Sequence, residues 1–174
     1  MSPGDDAFVV EALGTHHHRD RFDCGIDALN RYLRTQARQE MARDVAVVYV
    51  LVAAGQPATI AGYYSLSSTA VRLAEWPGAT RKRLPRYPLV PATLLGRLAV
   101  DQSYRGRRLG ERLLIDALRR SLRASQSVAS VAVIVDAKDA PGARFYTRYG
   151  FLPLADQPLR LFLPMKTIGQ VPRR

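Results

Sequence analysis

The sequence predicts an α/β (α+β) fold, a central sheet flanked by helices, and three observations carry that expectation. Short β-branched apolar runs alternate with stretches whose apolar residues recur at three-and-four spacing, the two periods of strand and helix. One apolar run, Leu94–Val100, passes through a glycine-bearing basic loop into such a helical face. No segment of the 174 residues repeats another, and no linker-like stretch divides them. The expected order is β-α-β-β-loop-β-α-β-α-β-β, in a single domain over 1–174.

Phe8–Leu13 reads as a first strand, followed by the run His16-His17-His18. Neighbouring loop residues do not easily all reach one ion, so no metal is expected there. Ile26, Leu29, Leu33, Ala37 and Met41 form the apolar stripe of a helix whose arginines face elsewhere. Val45–Ala54 and Thr59–Val71 are β-branched strands on either side of the turn Gly55-Gln56-Pro57, which makes them an antiparallel hairpin. Leu73–Val90 breaks the pattern with Pro77, Pro85 and Pro88 among Arg81, Lys82, Arg83 and Arg86. It reads as a loop or short helix whose length suits a function, and a solvated surface loop has the same composition. Asp101-Gln102-Ser103 is a turn, and Leu109, Leu113, Leu114, Ala117 and Leu118 share one helical face. Val128–Val135 is a buried strand. Pro141 opens a short helix that Gly150 closes, and Phe151–Leu154 and Leu159–Met165 are the last strands.

With 47% hydrophobic and 24% charged residues, the chain is globular and not disordered. One cysteine, Cys24, excludes an internal disulfide framework and suits a reducing compartment. It reads as a small packed residue, since no thiolate-stabilising group stands near it in sequence. No apolar run reaches spanning length, and the N-terminus has no signal-peptide core, so a cytoplasmic protein without a membrane partner is expected. The net charge of +11 and the pI near 10.5 favour a polyanionic partner.

The basic loop Arg105-Gly106-Arg107-Arg108-Leu109-Gly110 aims backbone N–H groups and the positive end of a helix dipole at one spot, an arrangement suited to phosphate. An ordinary solvated turn satisfies the same residues. The stretch resembles the Gln/Arg-x-x-Gly-x-Gly/Ala pyrophosphate loop of the GNAT superfamily of N-acetyltransferases. Arg105 and Gly110 match, and Arg108 replaces the middle glycine. Ala143-x-Phe145-Tyr146-x-x-x-Gly150-Phe151 resembles a second GNAT element, A-x-x-F-Y-x-x-x-G-F, offset by one residue at its start. Two ordered elements with a strand between them are far more specific than either alone.

The resemblance implies a mixed, mostly antiparallel sheet and acetyl-CoA as cosubstrate. It implies that pantetheine bonds backbone groups of Leu98, Ala99 and Val100, and that pyrophosphate meets Arg105, Gly106, Arg107, Arg108, Leu109, Gly110 and Glu111. Phe145 is expected to pack beside the cofactor or in the core. Tyr146 stands at the family's general-acid position. A phenol, with an ordinary pKa near 10, is protonated at neutral pH and able to donate to a departing thiolate. No general base stands out. An α-amine, at about 7.7–8.0, needs less help than a lysine at about 10.4.

A narrower likeness joins F-D-C-G-x-x-x-L-N-x-Y-L-x-x-Q-A at Phe22–Ala37, A-G-Y-Y-S-L at Ala61–Leu66 and L-G-R-L-A-V-D at Leu95–Asp101. These look like the GNAT toxins of type II toxin–antitoxin modules. That subgroup acetylates the α-amine of aminoacyl-tRNA and is usually encoded beside a ribbon-helix-helix antitoxin. The likeness implies an aminoacyl-tRNA substrate, that antitoxin as partner and a homodimer. The charge agrees, with Arg81, Lys82, Arg83 and Arg86 as candidate RNA contacts. Two alternatives stay open: a GNAT enzyme acting on a small amine or protein amine, and a basic nucleic-acid-binding module without catalysis.

Overall fold

The computed structural model describes residues 7–170, so the ends of the single domain expected over 1–174 lie outside it. Seven strands are joined in the order β1-β2-β3-β4-β5-β7-β6. They are β1 Phe8–Ala12, β2 Val47–Ala53, β3 Gln56–Arg72, β4 Leu89–Val100, β5 Ala132–Asp136, β6 Leu152–Leu154 and β7 Gln157–Pro164. β1 and β2, β2 and β3, β5 and β7, and β6 and β7 pair antiparallel, while β4 and β5 run parallel. The sheet is therefore mixed and mostly antiparallel, as expected. The helices are α1 Asp27–Thr35, α2 Ala37–Ala42, α3 Gly78–Arg81, α4 Leu109–Ser125, α5 Ala140–Thr147 and α6 Met165–Gly169.

Contacts divide the chain into two compact units. Unit 1 takes Met1–Ser67 and Arg97–Ala117, and unit 2 takes Ser68–Gly96 and Leu118–Arg174. In unit 1, the apolar stripe of α1 and α2 packs on alternate residues of β2 and β3. Leu33, Ala37, Val48, Val50, Tyr63 and Ala99 share that core. In unit 2, Trp76 meets Phe162 edge to face, with ring centroids 5.1 Å apart, among Val71, Val90, Ala132, Ile134 and Leu154.

The structure departs from the expected elements at three places. The Ile26–Met41 stripe is two helices, because Gln36 takes φ −117° between α1 and α2. The Gln36 N–H still bonds Tyr32 O and the Glu40 N–H still bonds Gln36 O, so the stripe continues through the kink. The strand expected from Val128 starts instead at Ala132. Val128 donates its N–H to Ala124 O at the end of α4 and leaves its side chain 78% exposed. Leu73–Val90, expected as a loop or short helix, holds a 3₁₀ turn at Leu73–Glu75, then the short α3, then the start of β4. Finally, Met165 opens α6 where the last strand was expected to end.

Candidate active site

β4 carries the first part of the site. Its register with β5 runs over Thr93↔Val133, Leu94↔Ile134 and Leu95↔Val135, and β4 continues to Val100. Leu98 and Val100 are half-buried, and Ala99 is buried in the unit 1 core. A Cβ on Gly62 of β3 would lie 2.9 Å from Ala99 O and 2.8 Å from Leu113 Cδ1. Only glycine lets β3 approach the Ala99 backbone so closely, which gives A-G-Y-Y-S-L its physical meaning.

Asp101 then ends the strand. Its Oδ1 accepts the Ser103 N–H at 2.9 Å and caps the 3₁₀ turn Gln102–Tyr104. Its Oδ2 accepts the Asp23 N–H at 3.0 Å, and the Gln102 N–H returns to Asp23 O at 2.9 Å. The Asp23 carboxylate accepts the Gly25 N–H at 2.8 Å and Asn30 Nδ2 at 2.9 Å. Those bonds hold its carboxyl below the usual carboxylate range. Cys24 is buried, and its N–H donates to Asn30 Oδ1 at 2.9 Å, in keeping with a packed residue. The F-D-C-G stretch is thus a polar staple on the turn that leads into the basic loop.

In that loop, Arg105 donates Nη2 to Cys24 O at 3.0 Å. Its guanidinium ties the loop to the staple. Gly106 has φ +82° and Arg108 has φ +56°. Arg108 therefore holds the left-handed conformation that the motif's glycine supplies, despite its side chain. For a residue with a Cβ that costs about 1–2 kcal/mol. The side chains of Arg107 and Arg108 are exposed and make no ion pair among the described residues. Arg107 sits 5.5 Å from the Tyr104 ring centroid. Leu109 is buried and starts α4, with Gly110 and Glu111 half-buried behind it. The first N–H groups of a helix have no intrahelical acceptor, so Leu109–Glu111 present donors to an anion. The Glu111 carboxylate favours the helix dipole and not a phosphate; only its N–H suits the role expected of it.

Unit 2 carries Tyr146 and Phe145 on α5. Asp139 caps that helix by accepting the Gly142 N–H at 2.8 Å, and Pro141 lies in its first turn. Gly150, at φ +93°, follows α5, and the Phe151 N–H bonds Tyr146 O at 3.3 Å. The Tyr146 ring packs edge-on against Phe145 and Phe151, with centroids 5.1 and 5.4 Å away. This apolar cage desolvates the phenol and pushes it up to about 12. Its hydroxyl makes no hydrogen bond among the described residues. Arg81, Lys82, Arg83 and Arg86, on and after α3, are all exposed.

Glu11, His16 and His17 approach one another within 4.8 Å, closer than their sequence positions suggested. The hydrogen bonds argue for a strut. His17 Nδ1 accepts the Gly14 N–H at 2.8 Å, so its proton sits on Nε2, which faces Glu11 Oε1 at 2.7 Å. A metal at Nε2 would need that proton on Nδ1 instead.

The family model for the acetyltransferase (GNAT) domain matches residues 44–153. The chain belongs to the GNAT acetyltransferases. It is 30% identical to the probable toxin TacT of Sinorhizobium fredii, over 92% of either chain. It is 35% identical to a tRNA-acetylating toxin of Mycobacterium tuberculosis, over 83% of this chain and 84% of that one. Among solved structures it is similar to AtaT complexed with acetyl-methionyl-tRNAfMet, with a TM-score of 0.86 and 30% identity over 93% of this chain and 97% of that one. A tyrosine-to-phenylalanine AtaT variant bound to the C-terminus of the antitoxin AtaR and acetyl-CoA has a TM-score of 0.78 and 28% identity, over 94% and 96%.

One contributor is not legible in the sequence: Asp23 stands there only as part of a motif, and its link to Asp101 spans 78 residues.

Proposed function

We propose that this GNAT enzyme is the toxin of a type II toxin–antitoxin module, and that it transfers the acetyl group of acetyl-CoA to the α-amine of aminoacyl-tRNA, blocking translation. The observation that carries the substrate is the 35% identity, over 83% of the chain, to a protein named as a tRNA-acetylating toxin. The strongly basic charge supports it.

Acetyl-CoA fits the residues present. Gly106 and Arg108 shape the loop, the N–H groups of Leu109, Gly110 and Glu111 stay open, and Arg107 and Arg108 bring unpaired charge to the pyrophosphate. Arg105 acts through the staple at Cys24. Backbone groups of Leu98, Ala99 and Val100 hold the pantetheine arm, and Gly62 lets β3 support them from behind. Phe145 and Phe151 keep water from the Tyr146 phenol. Bound acetyl-CoA supplies the activated acetyl thioester. Tyr146 Oη holds the proton that the leaving sulfur takes. The chain works as a single catalytic domain over 1–174. The partners are aminoacyl-tRNA, an antitoxin of the ribbon-helix-helix class and a second copy of the chain. The setting is the cytoplasm; no described helix is long and apolar enough to cross a membrane.

The test uses the exposed patch. Replacing Arg81, Lys82, Arg83 and Arg86 together with Ala should raise KM for aminoacyl-tRNA and flatten its salt dependence, with acetyl-CoA affinity held. An unchanged KM and salt slope would show the patch to be only a solvated face. Wild-type protein that acetylates a polyamine or protein lysine but no charged tRNA would overturn the substrate.

A further inference from the structure

Arg97 is the one charged residue of β4. Its guanidinium carbon lies 3.5 Å from the centroid of the Tyr32 ring on α1. It is half-buried, and among the described residues it has no ion pair and no hydrogen bond. Stacking on the ring fixes the plane of the guanidinium and leaves the N–H donors on its edge open. Tyr32 is 2% exposed, and its hydroxyl is buried without a well-formed hydrogen bond. Ser65 and Glu40 stand close enough to bias that hydroxyl's proton. A half-buried fork of donors without an acceptor is costly, and a planar oxyanion is the group that satisfies it two bonds at a time.

The position in the chain says where that oxyanion would sit. Arg97 directly precedes Leu98–Val100, the edge assigned to the pantetheine arm. At about 3.3 Å per residue, its Cα is within about 10 Å of every one of those backbone groups. Side chains alternate along a strand, so Arg97 shares the face of Ala99, which packs with α1 in the unit 1 core. The pyrophosphate loop lies past the end of the strand, beyond Asp101. An anion held at Arg97 therefore belongs to the acceptor and not to the cofactor's diphosphate.

We propose that Arg97, held flat on Tyr32, binds a phosphate of the terminal nucleotide of the acceptor and so sets the reach of its amine to the thioester. The proposal rests on the aminoacyl-tRNA reading above. It makes Arg97 a specificity residue for nucleotide-borne amines: a free amino acid or polyamine offers no phosphate at that distance from its amine.

The experiment compares two probes that differ in one group, puromycin, a nucleoside with an α-amine, and puromycin 5′-phosphate. Wild-type enzyme should use the phosphorylated probe with a KM about tenfold lower, the scale of one charge-assisted pair. In Arg97→Gln that advantage should shrink to within about twofold, and Arg97→Lys, which keeps the charge but loses the fork, should fall between. A thermal shift with acetyl-CoA checks that each variant is folded, and Arg97→Lys carries the comparison if Arg97→Gln is not. An equal loss on both probes, or an advantage that survives in Arg97→Gln, overturns the proposal. A wild type that acetylates charged tRNA yet treats the two probes alike also overturns it, while leaving the aminoacyl-tRNA reading standing. A wild type that acetylates neither charged tRNA nor either probe overturns that reading itself.

Discussion

Arg108→Gly separates two things that Arg108 does at once. The left-handed backbone at φ +56° costs a residue with a Cβ about 1–2 kcal/mol. Glycine removes that strain but gives the unfolded chain more freedom, worth roughly 0.4–1 kcal/mol in the other direction. The net is a gain of about 0.5–1 kcal/mol. At about 2–4 °C per kcal/mol for a chain of this size, the ligand-free protein should melt about 2 °C higher. On the function proposed above, the same change deletes an exposed cation that would meet the pyrophosphate. A charge-assisted contact weakened by exposure is worth about 1 kcal/mol, so acetyl-CoA should bind roughly fivefold more weakly. Differential scanning fluorimetry reads the first effect and calorimetric titration the second. They should move in opposite directions. Acetyl-pantetheine, which lacks the diphosphate, should show no loss on the variant. A lower melting temperature in the ligand-free variant would refute the strain argument. Unchanged or tighter acetyl-CoA binding would refute the phosphate contact, leaving Arg108 a tolerated replacement of glycine.

Tyr146→Phe keeps the ring in its cage and removes the hydroxyl, so the acetylation rate should fall by about 10²-fold or more with acetyl-CoA affinity little changed; a near wild-type rate removes Tyr146 from the mechanism. Burial raises this phenol to about 12, so the acid form persists above the ordinary phenol range, and a rate profile that loses activity near pH 10 through a group absent from Tyr146→Phe would contradict the desolvation. Gly62→Ala places a methyl 2.9 Å from Ala99 O and should destabilise the fold by about 2 kcal/mol, roughly 4–8 °C, while weakening acetyl-CoA binding by displacing β4. Wild-type melting and affinity in that variant would show that β4 does not depend on the close approach.

The hairpin, the glycine-bearing basic loop and the Pro141–Gly150 helix were legible because each is written locally, in alternation, in glycine positions and in a proline at the first helical turn. Val128 shows where local reading fails: β-branched residues predict a strand, yet the end of α4 takes its N–H first. Arg108 shows a subtler limit. An arginine stands where the motif has glycine, yet the backbone keeps the left-handed conformation at φ +56°. The roles of Asp23 and Gly62 were hidden because each depends on a partner far along the chain. A motif marks such residues, and only the tertiary contacts say what they touch.

The staple also has a consequence for how the protein is made. Asp23 meets Asp101 across 78 residues, and Cys24 meets Arg105 across 81. Unit 1 is discontinuous, and its second piece runs only from Arg97 to Ala117. Contacts of such long range form after local ones, since their closure entropy comes first. During synthesis, Phe22–Gly25 leaves the ribosome long before the residues that fasten it. A chain arrested before Asp101 has neither the staple nor the basic loop, so both form only once Asp101–Gly110 has left the ribosome.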